Sequence, residues 1–146
     1  RTPYILWLAA SDLNPVMHSR SGRAGKTLAQ IQRNNAAGLE GANWLARNQY
    51  PGAIVDKAKF EIPGLGGRRV DILTQNLTAI EVKTGETAYA SVRDQVAKDA
   101  ILNQGAVQGV RSVEWVFMKS VFTGKGGPDQ ALINALNAAG IPWKVI

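Results

Sequence analysis

In the stretch RRVDILTQNLTAIEVKTG, residues 68–85, Asp71 precedes Glu81 and Lys83 inside segments that otherwise read as apolar strands. Residues two apart in a strand share a face, so Glu81 and Lys83 stand side by side with Ile80 and Val82 behind them. By the same alternation Val70 and Ile72 are expected on one face, with Asp71 on the other. Two strands joined by the turn TQN are sheet neighbours, and one register sets Asp71 opposite Glu81. Carboxylates that meet in this way repel each other unless a cation lies between them. Oxygen ligands suit Mg2+, which keeps several waters and takes one or two protein carboxylates. The Lys83 ammonium would then help a bound water lose its proton, or stabilise charge developing on a phosphoryl oxygen. Those are the parts needed to hydrolyse a phosphodiester.

The elements that must position these groups follow from periodicity. From Thr27 to Asn48, Leu28, Ile31, Leu39, Ala42 and Leu45 recur at helical spacing, and Pro51-Gly52 stops the run. Gly38 and Gly41 each disfavour that helix by roughly 1 kcal/mol relative to Ala, which predicts a closely packed neighbour there. Glu40 borders the buried stripe, from where it can reach the same cation directly or through water. Ile54 to Ile62, Arg68 to Leu73 and Leu77 to Lys83 then read as three strands of an antiparallel meander, joined by PGLGG and TQN.

Glu86 to Gln104 reads as a helix, with Val92, Val96 and Ala100 on one side and Ser91, Gln95 and Lys98 on another. Gln95 and Lys98 are candidate substrate contacts. Val113 to Val121 is a nearly continuous apolar strand of the kind buried on both faces. Pro128 is expected to open a helix running to Ala139 and capped by Gly140, with Ile141 to Ile146 as a final strand. The order αβββαβαβ predicts an α/β (α+β) fold, a central mixed sheet flanked by helices on both faces. Residues 1–26 read as an N-terminal arm or linker, followed by one domain over residues 27–146.

Composition limits the alternatives. A chain of 146 residues, 45% apolar and 19% charged, is the size and make-up of one folded domain. No cysteine is present, which excludes disulfides, thiolate metal sites and a cysteine nucleophile. His18, the one histidine, cannot build a zinc site alone. SGRAGKT, residues 21–27, fails as a phosphate loop because Arg20 stands where its first glycine belongs. The longest apolar run, Tyr4 to Ala10, is too short to span a bilayer and lacks the charged leader of a secretory signal.

The net charge of +6 is uneven: Lys and Arg stand against Asp and Glu six to two over residues 1–50, seven to seven over 51–100 and four to two over 101–146. A positive surface around a local carboxylate cluster suits a protein that attracts a polyanion and holds a cation at one spot. Arg68, Arg69 and the loop residue Lys125 are further candidates for phosphate contact.

Asp71, followed by Glu81-Val82-Lys83, after a helix bearing Glu40 and before one bearing Gln95, resembles the PD-(D/E)XK, or restriction-endonuclease-like, superfamily. The resemblance covers residues 27–146, although Val70 stands where that family has proline. It implies that Asp71 and Glu81 bind the metal, that Lys83 is catalytic and that Glu40 is an accessory acid. The implied ion is Mg2+, with Mn2+ or Zn2+ as alternatives. More narrowly, the chain resembles the C-terminal nuclease toxin domains of contact-dependent growth inhibition proteins of the CdiA type. Its start at Arg1, without an initiator methionine, fits a piece of something longer.

That narrower resemblance implies a monomeric domain delivered as the C-terminal part of a secreted or cell-surface bacterial protein and acting in the target-cell cytoplasm. Its partners would be tRNA, with DNA as the alternative, and a cognate immunity protein, acidic where it meets the basic cleft. The competing readings are a surface ladder of paired charges, which contributes little, and a noncatalytic nucleic-acid or protein binding module. Arg68 and Arg69 can equally shield the carboxylates and blunt a strand.

Overall fold

Two bends, one in each of two neighbouring strands, decide the architecture. The structure, a computed structural model, describes residues 28–146, with side chains from Gly38 onward. The expected arm over residues 1–26, His18 and the SGRAGKT segment lie outside the described residues.

Helix α1 (Leu28–Gln49) is followed by β1 (Ile54–Val55), β2 (Lys59–Ile62), β3 (Gly66–Arg69), β4 (Ile72–Leu73) and β5 (Thr78–Thr84). Then come β6 (Glu86–Thr87), α2 (Tyr89–Asn103), β7 (Ser112–Met118), β8 (Gly127–Pro128), α3 (Gln130–Ala138) and β9 (Trp143–Val145). The main sheet has five strands in the order β1-β4-β5-β7-β9. β1, β4 and β5 are antiparallel neighbours, whereas β5, β7 and β9 run parallel. The fold is therefore mixed α/β, with a mixed central sheet.

The first two of the three expected long strands are each broken. Ile54 to Ile62 divides into β1 and β2, and Arg68 to Leu73 into β3 and β4, so that β2 and β3 leave the sheet as a separate ribbon. Val55 pairs with Ile72 and Lys59 with Arg69, which leaves three residues, 56–58, facing two, 70 and 71. That extra residue is a bulge, and bulges bend the strand and re-aim its side chains. Asp56 takes a φ of 56°, a left-handed conformation that Asp tolerates better than most residues. Hydrogen bonds from Asp56 N to Asp71 O, 2.9 Å, and from Val70 N to Ala58 O, 3.0 Å, carry the ladder across the bend. The expected sharing of a face by Val70 and Ile72 fails here. Val70 packs with Ile62, Leu73 and Val92, while Ile72 packs with Ile80 and Val116 on the other side of the sheet.

Helices cover both faces. Ala42, Leu45 and Ala46 of α1 pack on Ile72, Ile80, Val82, Val116 and Met118. On the opposite face Val92, Val96 and Leu102 of α2, with Leu132 and Leu136 of α3, enclose Ala79, Val113, Trp115 and Phe117. The apolar strand β7 is thus buried from both sides over Val113 to Met118, as its composition predicts, but it ends there: Lys119 to Val121, expected in the strand, lie in the following loop, with Val121 exposed. A side chain at Gly38 would meet nothing within 4 Å, so the close neighbour expected there is absent, whereas Gly41 is buried. Among the described residues no helix is long and apolar enough to cross a membrane.

Further expected boundaries move, among them the final strand, which runs from Trp143 to Val145 and not from Ile141 to Ile146. Glu86 belongs to β6 and not to α2, and Pro128 pairs in β8 with Thr87 instead of opening α3. Asp129 is the N-cap: its Oδ1 accepts from Leu132 N at 2.9 Å and from Tyr89 N at 3.1 Å, so one carboxylate joins the starts of α3 and α2. Removing such a cap typically costs 0.5–2 kcal/mol, and Asp129→Ala is expected to lose about 1–2 kcal/mol of stability in urea unfolding. An unchanged midpoint would show that the cap is dispensable.

Candidate functional site

Pairing of Ile72 with Ile80 and of Leu73 with Ala79 fixes the register of β4 against β5. Extended by one residue, it sets Asp71 opposite Glu81. The Asp71 carboxylate turns toward β5, where its Oδ2 accepts from Val82 N at 2.8 Å. Glu81 and Lys83 project from β5 toward α2, on the face opposite to Ile80 and Val82. Lys83 Nζ lies 2.9 Å from Glu81 Oε2, donates to Gln95 Oε1 of α2 at 2.6 Å, and stands 5.7 Å from the centre of the Trp115 ring. Asp71, Glu81, Lys83 and Gln95 are therefore brought together.

Two further charges complete the cluster. Arg68, which the bulged ribbon turns inward, donates from Nη2 to Glu81 Oε1 at 2.7 Å and from Nη1 to Arg69 O at 2.9 Å. Its Nε and Nη2 also form a fork on Asp99 of α2, at 2.8 and 3.0 Å. The Trp115 indole N–H donates to Asp99 Oδ2 at 3.0 Å. Arg68, Glu81 and Asp99 expose only 7%, 4% and 1% of their surface. A ladder of solvated surface charges does not fit that burial.

The electrostatics single out Asp71. Burial pushes its carboxyl up, the charge of Glu81 pushes it further, and the Val82 N–H, Lys83 and Arg68 offset this only in part, leaving it at about 8. Burial alone would raise Glu81 too, but Arg68 and then Lys83 outweigh it and hold that carboxyl below its usual range. Burial works against the charge on Arg68, and Glu81 and Asp99 more than restore it, so the guanidinium stays cationic. Asp99 is raised by burial and, to a smaller extent, by the charge of Glu81, while Arg68 and the Trp115 indole, which donate its hydrogen bonds, favour the carboxylate. Arg68 and Lys83 thus balance Glu81 and Asp99, and Asp71 is the carboxylate left over. When it ionises, the cluster carries one uncompensated negative charge beside Glu81. A divalent ion of the Mg2+ type, content with one or two carboxylates, fits that deficit. Among the described residues no group of three or more His, Cys, Asp or Glu side chains is placed to hold a metal.

The other candidates lie elsewhere. Glu40 is half-buried on α1, which packs on the Ile80 and Val82 face, and no described contact brings it to Asp71 or Glu81. Arg68 is an internal counter-ion, so the expectation of a surface phosphate contact gives way to that of a shield. Arg69 is exposed beside Asp56, at 3.6 Å. Lys98 donates to Gly67 O at 2.9 Å and ties α2 to the ribbon. Lys125 is exposed on the loop after β7, which its backbone closes through Ser120 N at 2.8 Å. The sequence reading missed Asp99, although a signal was present: it continues the buried stripe of Val92 and Val96 at helical spacing, where a carboxylate requires a partner.

No family model matches the chain, and neither curated proteins nor solved structures yield a match.

Proposed function

We propose that the domain is a metal-dependent endonuclease of the PD-(D/E)XK type, a toxin domain that hydrolyses phosphodiester bonds, with tRNA ahead of DNA as substrate. One observation carries the reading: an uncompensated carboxylate, Asp71, faces Glu81 across two strands, with the fixed ammonium of Lys83 beside them. The sequence of elements joined in the main sheet, αβββαβαβ, supports the restriction-endonuclease-like core.

Asp71 and Glu81 would hold the ion, which when bound supplies Lewis-acid polarisation of the phosphate and a more acidic water. The protein's own part is positional. Gln95 and Glu81 hold the Lys83 ammonium at one place, so it meets charge developing on a phosphoryl oxygen without reorganisation. The basic excess outside the site would attract the polyanion, and a cognate immunity protein with an acidic contact face would block it.

The test is incubation with tRNA and with plasmid DNA in Mg2+, Mn2+, Zn2+ or chelator. Cleavage that chelator stops is expected, and Lys83→Ala, with an unchanged circular dichroism spectrum, is expected to lower it by about 10²–10³-fold. Intact substrates in every metal would defeat the proposal. A second reading, a noncatalytic binding module, draws on the engagement of both Glu81 oxygens by Arg68 and Lys83. It requires Asp71→Ala and Lys83→Ala to leave nucleic-acid binding and any cellular toxicity intact.

A further inference from the structure

We propose that Arg68 is a resident cation that holds Glu81 in place before a divalent ion arrives, and that Asp99 is the anion that lets Arg68 give Glu81 up. Both are positioning residues, and the inference rests on the assignment of Asp71 and Glu81 as the carboxylates that take the ion.

The geometry of the guanidinium carries it. Arg68 makes four hydrogen bonds to three partners: the fork on Asp99, one to Arg69 O and one to Glu81 Oε1. If Glu81 turns its charge to another cation, Arg68 loses one of these bonds and keeps both its counter-charge and its fork. Asp99 is in turn held by the Trp115 indole, which donates to its Oδ2 at 3.0 Å, so the carboxylate that carries the fork has a second anchor that does not involve Glu81. Were Asp99 uncharged, Glu81 would be the only anion among the described residues bonded to Arg68, and a buried guanidinium without a counter-charge is strongly disfavoured. Arg68 would then hold Glu81 against any metal. Outer residues of this kind typically change metal affinity by 10–100-fold when replaced.

The experiment is Mn2+ binding, read from the electron paramagnetic resonance of the free ion, on the whole chain. Asp99→Asn is expected to weaken binding by at least about tenfold. The double variant Arg68→Met with Asp99→Asn, which removes the competitor as well, is expected to recover most of that loss. A merely structural role for the pair predicts the reverse, a double variant no better than the single one. Unaltered Mn2+ affinity in a natively folded Asp99→Asn, or a double variant as weak as the single one, overturns the proposal while leaving the nuclease reading standing. No Mn2+ binding by the unaltered chain overturns both.

Should Asp99→Asn fail to fold, nitrogen NMR on the unaltered protein decides. Saturating Mg2+ is expected to shift the Arg68 Nε–H resonance while the Trp115 indole N–H stays in place. An Arg68 resonance that ignores Mg2+ sinks the idea.

Discussion

Arg68→Ala is expected to destabilise the protein by about 3–5 kcal/mol, the range for removing one partner of a buried ion pair. The reason is less the lost attraction than what stays behind. Glu81 retains Lys83, but Asp99, 1% exposed, keeps among the described residues only the Trp115 N–H and becomes an uncompensated buried charge. Replacing the pair together, as Arg68→Met with Asp99→Asn, removes both charges and leaves an oxygen for Trp115, so the loss should be clearly smaller. Guanidinium unfolding followed by circular dichroism measures both, a shift in midpoint at constant slope reporting stability. A loss under about 1 kcal/mol for Arg68→Ala is what an exposed pair gives, and it would contradict the burial described above.

Asp71→Asn is expected to abolish cleavage and, at the same time, to stabilise the fold at neutral and alkaline pH. The sign follows from linkage. An ordinary aspartate titrates near 3.8, while Asp71 in the native state titrates at about 8. Between those values the native protein holds a proton that the unfolded chain has released. The contribution of Asp71 to stability is therefore fully present below about pH 4 and is lost as pH rises toward 8, by up to about 1.4 kcal/mol per unit. An asparagine retains the carbonyl that accepts from Val82 N and has nothing to ionise, so the difference between variant and unaltered protein should widen across that window and level off above it. Melting temperatures from pH 5 to 9 test this; equal melting of the two proteins at pH 8.5 would refute it. Mg2+ should stabilise the unaltered protein at pH 8 by mass action and do much less for the variant.

A stabilised but inert Asp71→Asn protein would identify the carboxylate as a group kept for its chemistry at the expense of stability. Arg68 marks the opposite case, a charge kept because its neighbours require it. The distinction between these two basic or acidic residues, three apart in the chain, was not legible from their types. Arg68 and Arg69 looked equivalent, yet strand alternation and the bend at residues 56–58 send one into the cluster and leave the other at the surface. The start of α3, expected at Pro128, moved for a related reason. Proline suits the first turn of a helix, but pairing with β6 occupied it, and the neighbouring carboxylate took the cap.

What the sequence determined by itself is local. Helical spacing located α1, α2 and α3 to within a few residues, the apolar run at Val113 defined β7, and the two-residue period of β5 set Glu81 and Lys83 on one face whatever lies across from them. These follow from the backbone geometry of consecutive residues wherever an element stays unbroken, as β5 does and the strand through Val70 and Ile72 does not. Tertiary structure decided the rest: that Asp71 is opposite Glu81, that this charged face is buried under α2, and that Arg68 and Asp99, 31 residues apart, close around it. Register and burial depend on which distant surfaces exclude water from one another. The same Glu81 would be a solvated surface charge without α2, and becomes half of a candidate metal site with it.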